Sequence, residues 1–332
     1  MRNTSFILIA SLLAAGALAW AVESCTSHVR ASSAQAAAES SDTSAGSVIS
    51  VAAPVPMVDK SRDTTLQTMV SELMPLFKRL SYKDPSTGVT VGYALFEPRH
   101  IVSGKRYPMV VFMADASTVG YDPTRAVSQG YGALVWATVR SQAENPCYIL
   151  VPSFAGVAVD DSYAVTSEAD AVLSLVRHVA EERQVDNRRI YATGQAMGGT
   201  LAMRYTASEP GLFAASVFVG SHCDPATVPM LAATPFVYIN AGTTGRAAGC
   251  MDAVADILKG NVRRASWSAR LPIDEQNKLA ERLLDSGAHA SLITFDQGTV
   301  LPSDGRGSEL LYGFDCAYRL DPVRQWLFRQ HL

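Results

Sequence analysis

Short apolar runs alternate with amphipathic segments along most of this chain of 332 residues. Residues 109–113 and 147–151 are apolar at nearly every position, which is typical of strands covered on both faces of a parallel sheet. Residues 89–96 alternate between apolar and polar positions, as a half-buried strand does. Residues 166–184 have apolar positions at helical spacing and Thr166 or Ser167 as the N-cap, so they predict an amphipathic helix.

The same alternation of strands and helices continues to the C-terminus. It predicts strands at residues 190–193, 215–219, 236–240 and 291–295, and helices at residues 200–207, 251–258, 273–285 and 322–330. A further helix at residues 66–80 is interrupted by Pro75. We therefore expect an α/β fold with a mainly parallel central sheet and helices on both faces. Ligands of such sheets bind outside the carboxyl ends of the strands, so the residues just after the strands should line any site.

The N-terminal region predicts export. Arg2 precedes an apolar run at residues 6–22, as in a signal peptide, and the run is too short for a confident membrane span. Either the small residues Ala19 and Ala21 mark a cleavage site that releases the protein, or residues 22–25 form a bacterial lipobox with Cys25 lipidated. The location is then the periplasm or a membrane-anchored lipoprotein.

These features divide the chain into three parts. Residues 1–24 form the predicted signal peptide, and residues 25–60 are a Ser/Ala-rich flexible tether that has too few large apolar side chains to fold. Residues 61–332 form a single domain. Any contact with a membrane is expected only through a lipid anchor at Cys25.

Composition excludes several classes of function. The net charge is −3 and there is no basic run, so we expect no nucleic-acid partner. No cluster of metal-ligand residues and no cofactor motif is present, so we expect neither a metal nor a cofactor. If Cys25 is lipidated, four cysteines remain, which allow up to two disulfides by three pairings or buried free thiols; they are Cys147, Cys223, Cys250 and Cys316.

One segment carries a recognisable catalytic motif with its central residue changed. Residues 190–199 read IYATGQAMGG, which predicts a strand that turns sharply into a helix with glycines around Ala196. This is the form of a nucleophile elbow, G-x-S-x-G, in which a strained turn exposes a serine hydroxyl. Ala196 stands where that serine would be, and a methyl group cannot attack a carbonyl.

The order of elements and the string YATGQAMGG resemble the α/β-hydrolase superfamily, and within it the secreted esterase and predicted-peptidase branch near the polyhydroxybutyrate depolymerases. The resemblance covers roughly residues 85–330 and includes the stretches RYPMVVFMADAS, SQGYGALVWA, CYILVP and GSELLYGFDCAYRLDPVRQWLF. In that family a serine attacks an acyl carbonyl, a later acid orients a histidine, and the histidine moves the proton.

The resemblance places the other two triad positions on residues that cannot do this chemistry. Relatives have A-G-G-D after the strand at residues 236–240, and here the acid position is Thr244. Relatives have G-S-E-H-M near the C-terminus, and here the base position is Leu310. A triad acts as a unit, so once one member is lost the others are free to change. We therefore expect a non-catalytic pseudo-hydrolase that binds a ligand or partner.

The alternative is an active hydrolase of esters or peptides. It requires either that Ala196 is an inactivating change in an active parent or that the catalytic residues have moved. The resemblance implies an oxyanion hole at the backbone of Ala114, Asp115, Ala116 and Met197, whose donors need no particular side chain. Gln195 and Tyr131 are further pocket candidates, Asp115 is equally explained as a turn cap, and a small acyl, ester or peptide ligand would suit the pocket.

His222 is the only histidine that comes after a predicted strand on the side of the crevice. Ser221, His222 and Asp224 are neighbours in sequence, whereas triad members usually converge from separate loops. We therefore treat His222 as the alternative catalytic candidate and expect a loop histidine instead.

Overall fold

A single mixed sheet of nine strands forms the centre of the structure, a computed structural model that describes residues 58–243 and 245–332. The strands of the described residues are β1 Lys78–Lys83, β2 Thr90–Phe96, β3 Tyr107–Met113, β4 Tyr148–Ser153, β5 Val185–Gln195, β6 Ala215–Val219, β7 Phe236–Ala241, β8 Val262–Trp267 and β9 Ala290–Phe295. Their order across the sheet is β1-β2-β4-β3-β5-β6-β7-β9-β8. The β1–β2 and β2–β4 pairs are antiparallel and the remaining pairs are parallel.

Helices cover both faces of this sheet, as expected where parallel strands are joined by crossovers. Their bounds are α1 Thr64–Leu73, α2 Thr124–Ser128, α3 Tyr131–Ala137, α4 Val139–Glu144, α5 Ser167–Glu182, α6 Met197–Ser208, α7 Gly245–Ile257, α8 Ile273–Leu284, α9 Glu309–Tyr318 and α10 Asp321–Arg329. Short 3₁₀ helices lie at Met74–Leu76, Ala116–Thr118 and Val228–Ala233. The Thr166 hydroxyl caps α5 by accepting the Ala169 N–H, as its sequence predicts.

The sheet separates two hydrophobic cores, and alternate residues of each strand enter opposite ones. In β3, Val110 and Phe112 point into the core under α1, α3 and α8 to α10, whereas Met109, Val111 and Met113 point into the core under α5 to α7. All five are essentially inaccessible to solvent. This two-sided burial explains why β3 is apolar at successive positions.

The register of the central strands brings the carboxyl ends of three strands together. Met113 at the end of β3 pairs with Gly194 of β5, and Gln195 at the end of β5 pairs with Val219 at the end of β6. The loops after these strands therefore meet at one edge of the sheet, where the sequence predicts the site.

The predicted fold class is confirmed, with several local differences. Residues 78–80, predicted as the end of a helix, belong to β1, because Pro75 lies in a short 3₁₀ turn and pairing with β2 extends the chain beyond it. Asp186 and Asn187, predicted as a turn, lie within β5. Strand β8 was not predicted, because its sequence VRRASW lacks an apolar period.

One disulfide joins the loop after β6 to α7. It links Cys223 and Cys250, whose Cα atoms are 5.5 Å apart, while Cys147 and Cys316 are free thiols. No helix among the described residues is long and apolar enough to span a bilayer. The predicted signal peptide, Cys25 and the predicted tether up to residue 57 lie outside the described residues.

Candidate functional site

Ala196 forms a strained turn between β5 and α6. Its backbone has φ 45° and ψ −116°, a left-handed conformation that residues with a Cβ rarely adopt. The surrounding chain holds it there: the Ala196 N–H donates to the Val219 carbonyl at 3.0 Å, and its carbonyl accepts the Thr200 N–H at 2.9 Å. The turn therefore has the backbone form of a nucleophile elbow, with a half-buried methyl group at its tip.

Three glycines allow the helix to lie against the sheet at this turn. A Cβ on Gly194 would overlap the backbone of Gly198, and one on Gly198 would overlap the carbonyl oxygen of Met113. A Cβ on Gly199 would lie 2.8 Å from the Gly194 carbonyl oxygen and would overlap the Ser221 hydroxyl. Each glycine therefore permits a backbone approach that any side chain would prevent.

Leu310, the position that the resemblance assigns to the base, lies close to the elbow. It is the second residue of α9, and its Cδ1 would lie only 2.6 Å from a Cβ built on Gly220. Gly220 comes directly after Val219, the residue that accepts the Ala196 N–H. Both Leu310 and Ala196 are half-buried and pack on the same core. The structure thus brings these two positions to neighbouring strand ends and places a hydrocarbon side chain there.

The acid position, Thr244, lies outside the described residues. Gly242, two residues earlier, has φ 74° and lies beneath the Glu309 carboxylate, whose Oε2 would be 2.6 Å from an added Cβ. Glu309 also accepts the N–H of Gly298, so it joins the loop after β7 to the loop after β9.

The residues implied as an oxyanion hole lie on two adjacent segments. Met197 is the first residue of α6 and Ala116 is the first residue of a 3₁₀ helix, so neither amide has an acceptor within its own helix. A Cβ on Gly198 would lie 2.5 Å from the Ala114 carbonyl oxygen, which shows how closely the two segments approach. The side chain of Met197 is turned toward the loop after β4, where its sulfur accepts the Ala158 N–H at 3.2 Å.

A network of largely buried polar side chains lies on the side of the elbow that faces the loop after β3. Asp115 is 2% exposed, and its Oδ1 accepts the Ser117 N–H at 2.7 Å, as a turn cap does. Its Oδ2 accepts the Gln195 side-chain amide at 3.0 Å and also the Gln129 amide. Gln195 donates in addition to the Gln129 Oε1 at 3.0 Å, and Gln129 donates to the Ser117 hydroxyl at 2.6 Å. Asp115 therefore both caps a turn and contacts a small cavity of about 20 Å³.

Tyr131 contributes a structural contact instead of lining that cavity. It is the first residue of α3, its N–H donates to Asp315 Oδ1 at 3.0 Å, and its hydroxyl donates to the Asp63 carboxylate at 3.0 Å. Burial, with Asp63 beside it, raises the pKa of the Tyr131 phenol well above its ordinary value. It stays a neutral donor that holds residue 63.

His222 lies at the carboxyl end of β6 with its ring 5.5 Å from that of Tyr163. Its Nε2 is buried without a hydrogen-bond partner among the described atoms. Burial first, and Arg246 second, hold the pKa of the His222 imidazole below its ordinary value. Ser221 donates to the Val219 carbonyl and Asp224 accepts the Ala226 N–H. In the part of the chain that the structure describes, no hydrogen bond joins the side chains of Ser221, His222 and Asp224.

Four residues that line the cavity or contact Tyr131 were not among the candidates from the sequence: Lys60, Asp63, Gln129 and Asp315. Gln129 sits in an ordinary polar position after a short helix, and Lys60 and Asp315 are far apart in the chain. Only the folded arrangement shows that they meet.

Comparisons with known proteins agree with this architecture. No family model matches the chain, and no curated protein matches it in sequence. Solved structures do match: a thermostable esterase superimposes with a TM-score of 0.60 at 24% identity, over 78% of this chain and 64% of that one. A ferulic acid esterase superimposes with a TM-score of 0.50 at 10% identity, over 76% of this chain and 98% of that one. The chain thus spans less than two thirds of the length of the first of these.

These likenesses establish the fold class. With its sheet order and its strand-turn-helix at Ala196, the described part of the chain has the α/β-hydrolase fold. The likeness to esterases is a likeness of fold alone.

Proposed function

We propose that this protein is an exported pseudo-hydrolase: an α/β-hydrolase-fold protein of the serine esterase or peptidase type that binds a ligand or partner without hydrolysing it. The observation that carries the proposal is the elbow itself. Its backbone strain and its three glycines are present, yet its tip is the methyl group of Ala196, and Leu310 lies beside the neighbouring strand end.

The chemistry of the two side chains supports this proposal. Acyl transfer needs an oxygen or sulfur nucleophile and a base that accepts its proton. The methyl side chain of Ala196 has no lone pair, and the hydrocarbon side chain of Leu310 can neither accept nor donate a proton. Because a triad acts as a unit, restoring one member without the others gives little catalysis.

Binding requires less than catalysis. Backbone amides at the start of α6 and after β3 can donate to a carbonyl or carboxylate oxygen whatever side chains they carry. We propose that a small acyl, ester or peptide ligand is held through these donors, with Met197 and Ala116 as the donor residues.

Active-site labelling tests the proposal. Purified protein is treated with a fluorophosphonate probe and with p-nitrophenyl esters, beside the variants Ala196→Ser and Ala196→Ser/Thr244→Asp/Leu310→His and a heat-denatured control. We expect neither labelling nor turnover for the unmodified protein, little or none for the single variant, and labelling only for the triple variant.

Two results would contradict the proposal. Labelling of a serine in the unmodified protein would show relocated catalytic residues, and loss of that labelling in His222→Ala would identify the base. Full turnover from Ala196→Ser alone would show an active parent with one inactivating change.

Export and anchoring are a separate part of the proposal, motivated by the apolar run at residues 6–22 and by Cys25. Fractionation of bacteria that express the full chain tests it. Wild type in the membrane fraction and Cys25→Ser in the soluble exported fraction would support lipidation. Equal soluble export of both would favour cleavage at the small residues, and retention of both in the cytoplasm would refute export.

A further inference from the structure

The first described residues, 58–63, form a strap across the polar side of the site. Lys60 pairs through its Nζ with Asp315 Oδ2 at 2.6 Å, and Asp63 receives the Tyr131 hydroxyl. The Lys60 carbonyl accepts the Asp63 N–H at 3.0 Å, so the strap turns on itself before α1 begins. Two side chains therefore attach this segment to α3 and α9.

The position of the Lys60 ammonium is built by residues outside the strap. The Tyr131 N–H donates to Asp315 Oδ1 at 3.0 Å and so orients the carboxylate. Gly130 leaves the space open, because a Cβ there would lie 2.7 Å from Lys60 Nζ and would overlap Asp315. The side chains of Lys60 and Asp315 are only 15% and 18% exposed. The carboxylate is thus held ready for a cation whether or not Lys60 is present.

The surroundings suit a short alkyl chain that ends in a positive charge. The small cavity of about 20 Å³ beside Lys60 is lined by Asp115, Leu311 and Phe314, among other residues. Asp115 is buried, and its hydrogen bonds within the described residues come from neutral amide groups. A buried carboxylate with neutral donors leaves a negative potential in the cavity. Two cations lie nearby: Arg319 is over the Tyr131 ring at 5.9 Å, and Arg125, which lines the adjacent groove, donates to the carbonyls of Ser117 and Val119.

Few polar side-chain contacts hold the strap to the rest of the described chain, and one of them runs from the Gln67 side-chain amide in α1 to the Lys60 carbonyl. The strap residues Asp59, Ser61 and Arg62 are exposed, and Lys60 and Asp63 make its polar attachments to α3 and α9. A groove of about 270 Å³, which shares Val58, Lys60, Ser117 and Gln129 with the cavity, runs beside it toward α2. A competing ligand has a path to the same position.

We propose that the position filled by Lys60 is a binding site for a primary alkylammonium group, such as a lysine side chain of a peptide. The strap occupies this site as an internal ligand, and an external ammonium group displaces it. The strap comes directly after residue 57 in the sequence, so occupancy of the site is coupled to release of the segment that leads into the predicted tether. This proposal does not depend on whether Ala196 and Leu310 abolish hydrolysis.

Chemical rescue tests the site. Lys60→Ala removes the stem and ammonium that propylammonium restores, so we expect propylammonium chloride to raise the melting temperature of this variant. The rise should reach about 3 °C once the amine is near tenfold its Kd. Sodium chloride and 1-propanol serve as controls for ionic strength and for the alkyl chain.

Matched variants make the result specific. Lys60→Met fills the same space with a neutral chain and should show no response to the amine, and Lys60→Ala/Asp315→Asn should lose the rescue. An equal rise with 1-propanol, a rise that persists without the Asp315 carboxylate, or no rise at all would overturn the proposal.

Displacement in the otherwise native protein is the second test. A fluorophore on Ser61→Cys, placed in a Cys25→Ser/Cys147→Ala/Cys316→Ala background, reports motion of the strap by anisotropy. We expect Nα-acetyl-lysine methylamide to lower the anisotropy, and its Nε-acetylated form to have no effect. Equal effects of the two compounds, or none from the free amine, would show that the strap is not a displaceable ligand.

Discussion

The two sides of Ala196 differ sharply in chemistry. Toward β3, Asp115, Gln129 and Gln195 form a buried network in which carboxylate and amide groups hydrogen-bond one another. Toward β6, Leu310 lies against Gly220 and joins the apolar core. The polar side chains on the β3 side hydrogen-bond one another. On the β6 side, the side chain at position 310 is a hydrocarbon.

Under the proposed function, this difference explains how the site keeps its backbone shape without catalysing hydrolysis. A hydrolytic site needs a base on the β6 side that remains free to take a proton, and a hydrocarbon side chain there favours close packing instead. In the proposed function, ligand recognition belongs to the polar side, where hydrogen bonds fix the positions of the side chains. The glycines of the elbow matter for both sides, because their close backbone contacts fix the position of α6 relative to β3 and to the loop after β6.

Gly198→Ala should have the largest effect, because it would disturb both sides at once. The new methyl group would overlap backbone oxygens of Met113 and Ala114, which cannot move without shifting β3. We expect a loss of more than about 3 kcal/mol in the free energy of unfolding, measured by urea denaturation. Gly249→Ala is the matched control: it lies exposed within α7 with no atom near the new Cβ and should gain up to about 1 kcal/mol. Equal effects of the two would refute the packing argument.

Asp115→Ala should break the polar side alone. It removes the acceptor of the Gln129 and Gln195 amides and leaves buried donors unpaired, so we expect a loss of about 2–3 kcal/mol in the same assay. Asp304 also accepts the N–H two residues later but is exposed, and Asp304→Ala should change stability by less than about 0.5 kcal/mol. A loss below about 1 kcal/mol for Asp115→Ala would show that water replaces the network.

Leu310→Ala should weaken the apolar side by a smaller amount. A half-buried leucine loses part of its contacts with the core, and we expect a cost of about 1–2 kcal/mol. Leu76, which is 44% exposed, provides the comparison, and Leu76→Ala should cost less than about 0.5 kcal/mol. Were Leu310→Ala neutral, the β6 side would be open rather than packed.

The smallest effect should come from His222, two residues beyond Gly220. Its pKa is lowered in the folded state, so the unfolded chain takes up the proton first as the pH falls. Its contribution to stability is therefore intact above the ordinary pKa of 6.5 and declines below it until the folded state is also protonated. We expect the melting temperature of wild type to fall more than that of His222→Gln between about pH 7 and about pH 5, with the exposed His331→Gln as control. Parallel curves would exclude a role for His222.

Local patterns predicted the fold because most strands are buried on both faces and are apolar at successive positions. The elbow was predictable for a related reason: glycines two residues before and after Ala196 are required by backbone contact. Strand β8 was not, since an edge strand exposes most of its residues and carries no apolar period.

The polar parts of the site depended on contacts that no short pattern encodes. Lys60 and Asp315 meet only after the sheet and α9 are assembled. The four cysteines allowed up to two disulfides by three pairings, or buried free thiols, and the 5.5 Å separation of the Cα atoms of Cys223 and Cys250 is what selects the single bond between them. Contacts between residues far apart in the sequence therefore determine the ion pair and the disulfide, which the residue types alone did not specify.

The two outermost strands of the sheet have a consequence for how copies of this protein behave together. An edge strand offers unpaired backbone groups to any neighbouring chain, and charged side chains oppose such pairing. Strand β1 exposes Lys78, Arg79 and Lys83, and β8 exposes Arg263 and Arg264. Two copies that approached edge to edge would set like charges against each other. We therefore expect these charges to oppose sheet-to-sheet aggregation, although the net charge of the chain is only −3.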